Sequence, residues 1–259
     1  MRIVTWNVNS IGARLERVVA WVEANQPDVV AMQELKCTTA NFPAAEFEKL
    51  GYEVAALGTG RWNGVAIISK VGLKDVVENL KDQPAFEDVT EPRAIGATCG
   101  GVRVWCVYVP NGREVDHEHF NYKINWLNAL RNNAEVEKAN GDLPYAIIGD
   151  FNVAPNDDDV WDIKDFANAT HVTPAERAAV LQLNEIGLNE IMPRSQKGKP
   201  FTFWDYRALM FQKGMGMRID LVYANDSFTK LAKDVWIDRE ERKAKGGSDH
   251  TPVVIDLNF

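Results

Sequence analysis

The chain has 259 residues, 46% hydrophobic and 25% charged, with a formal net charge of −8. This composition excludes a disordered or fibrous chain, and the length suffices for one large domain with a sizeable core. The acidic balance counts against a simple basic nucleic-acid binder, and no apolar run approaches the ~20 residues that span a bilayer.

A strand pattern begins at once with Arg2-Ile-Val-Thr-Trp-Asn7 and runs on to Asn9. With no secretory or transit signal ahead of it, cytoplasmic residence is the expectation. Leu15, Val18, Val19 and Val22 recur at i, i+3, i+4, i+7 and predict an amphipathic helix that stops before Pro27. The run Val29-Val-Ala-Met-Gln-Glu34 predicts a strand ending in an acid, and residues 44–50 a short helix closed by Gly51. Strands are expected at 52–57, 64–69, 93–98 and 102–109. A helix over 117–140 places Phe120, Ile124, Leu127 and Leu130 on one face.

Tyr145-Ala-Ile-Ile-Gly-Asp-Phe-Asn152 predicts a buried strand that delivers Asp150 and Asn152 at its far end. Thr173-Pro-Ala-Glu176 is a capping box with proline at the first helical position, starting a helix that ends at Gly187. Residues 216–223 and 248–255 carry Asp220, Asp249 and His250 into two late strands. Helices do not follow every strand, so a sheet pair flanked by helices fits better than strict βαβ alternation. With no linker or composition break, a single domain over 1–259 is expected.

Five polar strand ends spaced along one chain suggest one site. Carboxylates and carboxamides at strand termini suit a hard metal ion and phosphate oxygens better than a core. Glu34 is the leading metal ligand, with Asn7 or Asn9 beside it, and such oxygen donors favour Mg²⁺, with Mn²⁺ as a substitute. Asp150 is placed to orient or deprotonate an attacking water, and Asn152 is expected on the same side of the strand, donating to phosphate. His250 is expected to act as a base or as an imidazolium, with Asp220 on its other ring nitrogen. His117, His119 and His171 read as structural.

Ser248-Asp249-His250 cannot form a triad among themselves, because consecutive strand residues face opposite ways. Neither a Gly-x-Ser-x-Gly elbow nor a phosphate-cradling Gly-x-x-x-x-Gly-Lys loop occurs. Cys37, Cys99 and Cys106 are odd in number with no Cys-x-x-Cys pair, which argues for buried thiols. Arg194, Lys197 and Lys199, and Arg239, Arg242, Lys243 and Lys245, read equally as a polyanion's neighbours or as solvated loops.

Six motifs together carry a resemblance. They are Thr5-Trp-Asn-Val-Asn-Ser, Gln33-Glu34, Tyr108-Val-Pro-Asn-Gly, Gly149-Asp-Phe-Asn-Val-Ala-Pro, Gly216-Met-Arg-Ile-Asp220 and Ser248-Asp-His. In order and spacing, from residue 2 to 257, they resemble the exonuclease III class of apurinic/apyrimidinic endonucleases, within the endonuclease–exonuclease–phosphatase superfamily. The resemblance implies a four-layered α/β sandwich, two packed mixed sheets flanked by helices, with the site at one end of both sheets. By motif position it implies Asn7, Glu34 and Asp249 at the metal. It also implies Tyr108, Asp150 and Asn152 at the phosphate and nucleophile, and an Asp220–His250 pair.

Phe201-Thr-Phe-Trp-Asp-Tyr-Arg207, ahead of Met217, resembles the segment whose aromatic side chains line a pocket for an extruded abasic sugar. Phe203 and Met217 fall at the wall positions, with Trp204 adjacent, and Met217 departs from the tryptophan many relatives carry. Arg113, after Asn111 and Gly112, resembles a residue inserted beside the lesion, and Asn9 and Asn111 are expected near the DNA. Leu35 replaces a threonine common in relatives, but points away from the ligand face. The implied activity is a Mg²⁺-dependent phosphodiesterase that cuts duplex DNA 5′ to abasic sites and trims 3′ ends. It needs no obligate protein partner and no membrane, and a monomer is expected. Two alternatives use the same residues differently: the superfamily chemistry on an inositol phosphate, phospholipid headgroup or RNA tail, and a catalytically dead DNA-binding scaffold.

Overall fold

The computed structural model describes residues 1–139, 141, 143–243 and 246–259. Strands β1 (Arg2–Asn7), β2 (Val29–Gln33), β3 (Glu53–Leu57) and β4 (Val65–Ser69) lie in one six-stranded sheet with β11 (Ala232–Ile237) and β12 (Val253–Leu257), in the order β11-β12-β1-β2-β4-β3. Strands β5 (Lys74–Glu78), β6 (Ala94–Cys99), β7 (Val102–Tyr108), β8 (Tyr145–Asp150), β9 (Asn189–Glu190) and β10 (Asp220–Ala224) form the second, ordered β5-β6-β7-β8-β10-β9. Each sheet is mixed: β1–β2 and β7–β8 run parallel, and the other named neighbours antiparallel.

The inner faces meet in one core, with Ile3, Val29 and Ile67 of the first sheet against Ile95, Val104 and Ile148 of the second. The first sheet's outer face (Trp6, Val30, Ile68) packs on α1 (Ile11–Asn25) and α2 (Ala44–Glu48) through Val18, Val22 and Phe47. On the opposite side, Trp105, Val107 and Ile147 pack on α3 (Glu118–Ala139) and α4 (Pro174–Glu185) through Trp126, Leu130 and Val180. The four layers follow from strands covered on both faces, which is why β2, β4 and β8 read as unbroken apolar runs.

The topology collects the polar strand ends. Parallel pairing puts the C-termini of β1 and β2 together, and likewise those of β7 and β8. Because β10 is antiparallel to β8, its first residue, Asp220, lies opposite Asp150. Because β12 is antiparallel to β1, the chain entering β12 brings His250 to that same end.

Thr173 with Glu176 forms the expected reciprocal box, and at the start of α1 Ser10 accepts from the Ala13 amide, a cap the sequence reading had not named. Two late strands are shorter than expected. Residues 217 and 250 make isolated bridges to Phe203 instead of a continuous ladder, so β10 starts only at Asp220 and β12 at Val253. Helix α3 is described to Ala139, and the expected last residue, Asn140, lies outside the described residues. Strand β5, exposed along its whole length, and the α6 (Asp226–Leu231)–β11 unit lacked the periodicity that would have announced them. A further short helix, α5 (Met210–Lys213), follows the aromatic segment. Among the described residues no helix is long and apolar enough to cross a membrane.

Candidate active site

Asn7, the last residue of β1, donates from Nδ2 to Asp150 Oδ2 at 2.9 Å, and its Oδ1 accepts from the Asn9 amide at 2.9 Å. Asn9 in turn donates to Asp249 Oδ1 at 2.9 Å and accepts from Lys36 Nζ at 2.6 Å. Glu34, just past β2, accepts the Tyr108 hydroxyl at 2.8 Å, with Lys36 Nζ 3.6 Å away. Arg93 is buried beneath Tyr108, its guanidinium 4.9 Å from the ring centroid and its Nη1 donating to the Tyr108 carbonyl. Glu34, Asn9 and Asn152 all have positive φ (59°, 43° and 50°), a conformation that non-glycine residues hold only where the surroundings enforce it.

Asn152 reaches the site differently from the expectation. It does not continue β8 but turns left-handed beyond it, with its amide donating to Asp150 Oδ1 at 2.9 Å. Its Nδ2 donates to the Val109 carbonyl at 3.0 Å and its Oδ1 accepts from Asn111 Nδ2 at 3.1 Å.

His250 is bracketed by acids. Its Nδ1 meets Asp220 Oδ2 at 2.8 Å, and its Nε2 lies 3.6 Å from Asp150 Oδ2. Burial works against the imidazolium, but Asp220, Asp150 and Asp249 outweigh it and hold the ring's pKa at about 10. Asp150 is pushed up to about 7, first by burial and then by Asp220, with His250 opposing. Burial and the Glu34 carboxylate push the Tyr108 hydroxyl well above its usual value. Ser248 takes no part in a triad: its hydroxyl donates to the Asn7 carbonyl at 2.8 Å and accepts the His250 amide.

Two acidic groupings are candidates for a metal. Ligand atoms of Asp150, Asp220 and His250 all lie within 4.8 Å of one another. Nδ1 of His250 is already taken up by Asp220 at 2.8 Å, and an imidazole nitrogen is not the donor a hard divalent ion prefers. Glu34, Asn7 and Asp249 offer oxygen only, the donor set a hard divalent ion prefers, so these side chains fit such an ion.

Beside His250 opens a cavity of about 510 Å³, lined by Asn111, Arg113, Trp161, His171, Phe203 and Met217 among others. Phe203 packs on the His250 ring, centroids 4.9 Å apart. Trp204 departs from expectation, since it turns into a satellite core between Phe201 and Phe211 instead of toward the cavity. Of the basic residues, Arg194 pairs with Asp234 and Arg242 donates to the Trp204 carbonyl, whereas Lys245 lies outside the described residues.

Sequence reasoning missed Lys123 and Trp161, and it read His171 as structural and Glu176 as a cap without connecting either to the site loops. Lys123 carried a signal, being three residues after Phe120 and four before Leu127 on the buried face of α3. Nothing local distinguished His171, whose ring meets the Asn152 carbonyl at 2.7 Å.

A model of the Endonuclease/Exonuclease/phosphatase family matches residues 4–250. The chain belongs to this family. Among curated relatives, the exodeoxyribonuclease III of Haemophilus influenzae is 29% identical, covering 98% of each chain. A 3′ phosphatase from Neisseria, solved with a product DNA hairpin, is 36% identical with a TM-score of 0.94 over the full length of both chains. An AP endonuclease from Archaeoglobus fulgidus is 33% identical with a TM-score of 0.91, again over both full lengths. The family's architecture accounts for the two mixed sheets and their helical flanks described above.

Proposed function

We propose that this protein is a Mg²⁺-dependent DNA phosphodiesterase of base excision repair. It incises duplex DNA 5′ to abasic sites and trims 3′ ends as a 3′→5′ exodeoxyribonuclease, with Mn²⁺ able to replace Mg²⁺. The observation that carries this reading is a cavity with aromatic walls joined to the His250–Asp150–Asp220 cluster through Phe203, which lines the cavity and packs on the His250 ring. A sugar that has lost its base gives up little stacking when extruded, so such a cavity suits it. The relatives named exodeoxyribonuclease III and AP endonuclease support the same reading.

In this reading Asn7, Glu34 and Asp249 hold the cation, which would polarise a phosphoryl oxygen and offset charge on the leaving oxygen. Asp150, lifted to about 7 by burial, is poised near neutrality to orient a water and take its proton. Asn7 and the Asn152 amide fix its carboxylate by hydrogen bonds to separate oxygens. The Asn152 carboxamide faces the phosphate. His250 holds its proton on Nε2 while Nδ1 donates to Asp220, so a positive charge meets the negative charge on the phosphoryl oxygens in the transition state. Tyr108, steadied over Arg93, supplies a hydroxyl at the same oxygens. Phe203 and Met217 wall the sugar pocket, Asn111 and Arg113 form its rim, and Asn9 holds Asp249 in place.

A single catalytic domain over 1–259, a monomer and cytoplasmic residence belong to the same proposal. A sizing column and cell fractionation test the last two. The net charge of −8 favours one competing reading, the same chemistry on a small phosphodiester. Side-by-side incubation with a nicked duplex, an inositol phosphate and a phospholipid headgroup separates the two. Phosphodiester cleavage on DNA alone is expected; turnover of a small substrate with inert DNA would favour the competitor.

A further inference from the structure

Lys123, in the second turn of α3, and Glu176, in the first turn of α4, have no exposed side-chain surface and form an ion pair. Buried charges lose more in hydration than their attraction returns unless further hydrogen bonds complete both groups. Here those further bonds go to the loops that carry the site. Lys123 Nζ donates to the Asn152 carbonyl at 2.7 Å, the Asn111 carbonyl at 3.1 Å and Thr170 Oγ1 at 3.4 Å. Glu176 Oε1 accepts from Thr170 Oγ1 at 2.6 Å and the His171 amide at 2.9 Å, and its Oε2 accepts from Thr173. One ammonium and one carboxylate thus join the loop after β7, the turn after β8 and the approach to α4.

The join is close-fitting. A Cβ at Gly112 (φ +94°) would sit 2.6 Å from Thr170 Oγ1 and 3.1 Å from Lys123 Cδ. Asn152 occupies a left-handed conformation, which a non-glycine residue holds only when its surroundings enforce it. Lys123 and His171 both bond its carbonyl while Asp150 holds its amide. An apolar pair of the same volume would pack the α3–α4 contact as well, but would hold none of these loops.

We infer that Lys123 and Glu176 are a positioning pair, holding the Asn152 turn and the cavity rim in the geometry that presents the Asn152 carboxamide to the phosphate. The inference rests on the proposed role of Asn152 and adds what keeps that residue in place.

The double variant Lys123→Met with Glu176→Gln removes both charges together, so neither is left buried alone. Amide hydrogen exchange is read first, in the free protein. Faster exchange over residues 151–154 and at His171, with the sheet core unchanged, is expected; unaltered exchange there would overturn the inference. Steady-state kinetics on a 3′-recessed duplex with Mg²⁺ come second. kcat is expected to fall ~100-fold with KM within about threefold, since misplacement near the reacting centre costs turnover more than binding. Adding Asn152→Ala to the double variant should lower kcat little further; multiplicative losses would show that the pair does not act through Asn152. Thr170→Val keeps both charges and removes one bridging hydroxyl, and should give a smaller fall with the same split. Exchange needs no substrate, so a wild-type protein inert on DNA would sink the proposed activity and leave this inference to be decided by exchange alone.

Discussion

Asp150 and Asp220 are directly opposed residues of the antiparallel strands β8 and β10. Like charges in that relationship destabilise a sheet, and both side chains are buried. The imidazole of His250 answers them, 2.8 Å from one and 3.6 Å from the other. Charge balance and chemistry therefore share one residue.

Replacing His250 with Asn removes the cation and leaves the opposed acids uncompensated. Single-turnover rates on a DNA substrate should fall ~10²–10³-fold, the loss typical of removing one preorganised electrostatic contact. A wild-type rate would remove His250 from the reactive centre.

Glu34 is expected to act through the cation. In Glu34→Gln the Mg²⁺ concentration for half-maximal activity should rise by an order of magnitude or more, while duplex binding in EDTA stays unchanged. An unaltered Mg²⁺ titration would move the metal elsewhere, with the Asp150–Asp220 grouping the next place to look.

Arg218 holds the β10 approach. Its guanidinium is fully buried and bonds both oxygens of Asp159, at 2.6 and 2.8 Å, and Glu190 at 2.5 Å. Arg218→Met leaves two acids without their cation, so stability in urea should fall by ~3–5 kcal/mol, as for other buried pairs broken on one side. A change below ~1 kcal/mol would mean that those acids have other partners.

Glu176 makes stability pH-dependent. Burial opposes its charge, but Lys123, Thr170 and Thr173 prevail and hold its pKa at about 2, below the ordinary 4.5. A depressed carboxylate contributes stability that is fully present above its unfolded pKa and lost as pH falls through the folded one. The Tm gap between wild type and Glu176→Gln should therefore be constant above about pH 5 and close between there and pH 2. A gap that persists at pH 2 would show that the lost stability comes from packing.

The sequence revealed the strands buried on both faces, because they are continuous apolar runs, and the site, because its residues sit at those strands' ends. Asn7, Glu34 and Asp150 could be picked out as candidates for that reason, and His250 because it lies just ahead of the apolar run of β12. Less was legible where a residue's role depends on distant chain. Glu176 is a cap in its own helix and a partner of Lys123 only in three dimensions, 53 residues away. The direction of Trp204 was hidden because an aromatic run does not say which ring faces a core and which a cavity. Strand β5 was silent because an exposed edge strand needs no alternation.

The most direct test uses an end-labelled duplex bearing one tetrahydrofuran abasic analogue, beside an undamaged duplex, each incubated with Mg²⁺ or EDTA and resolved on a sequencing gel. A single Mg²⁺-dependent cut 5′ to the analogue, with slower shortening of both duplexes from their 3′ ends, is the predicted result. No cleavage of either duplex in Mg²⁺ would contradict the account.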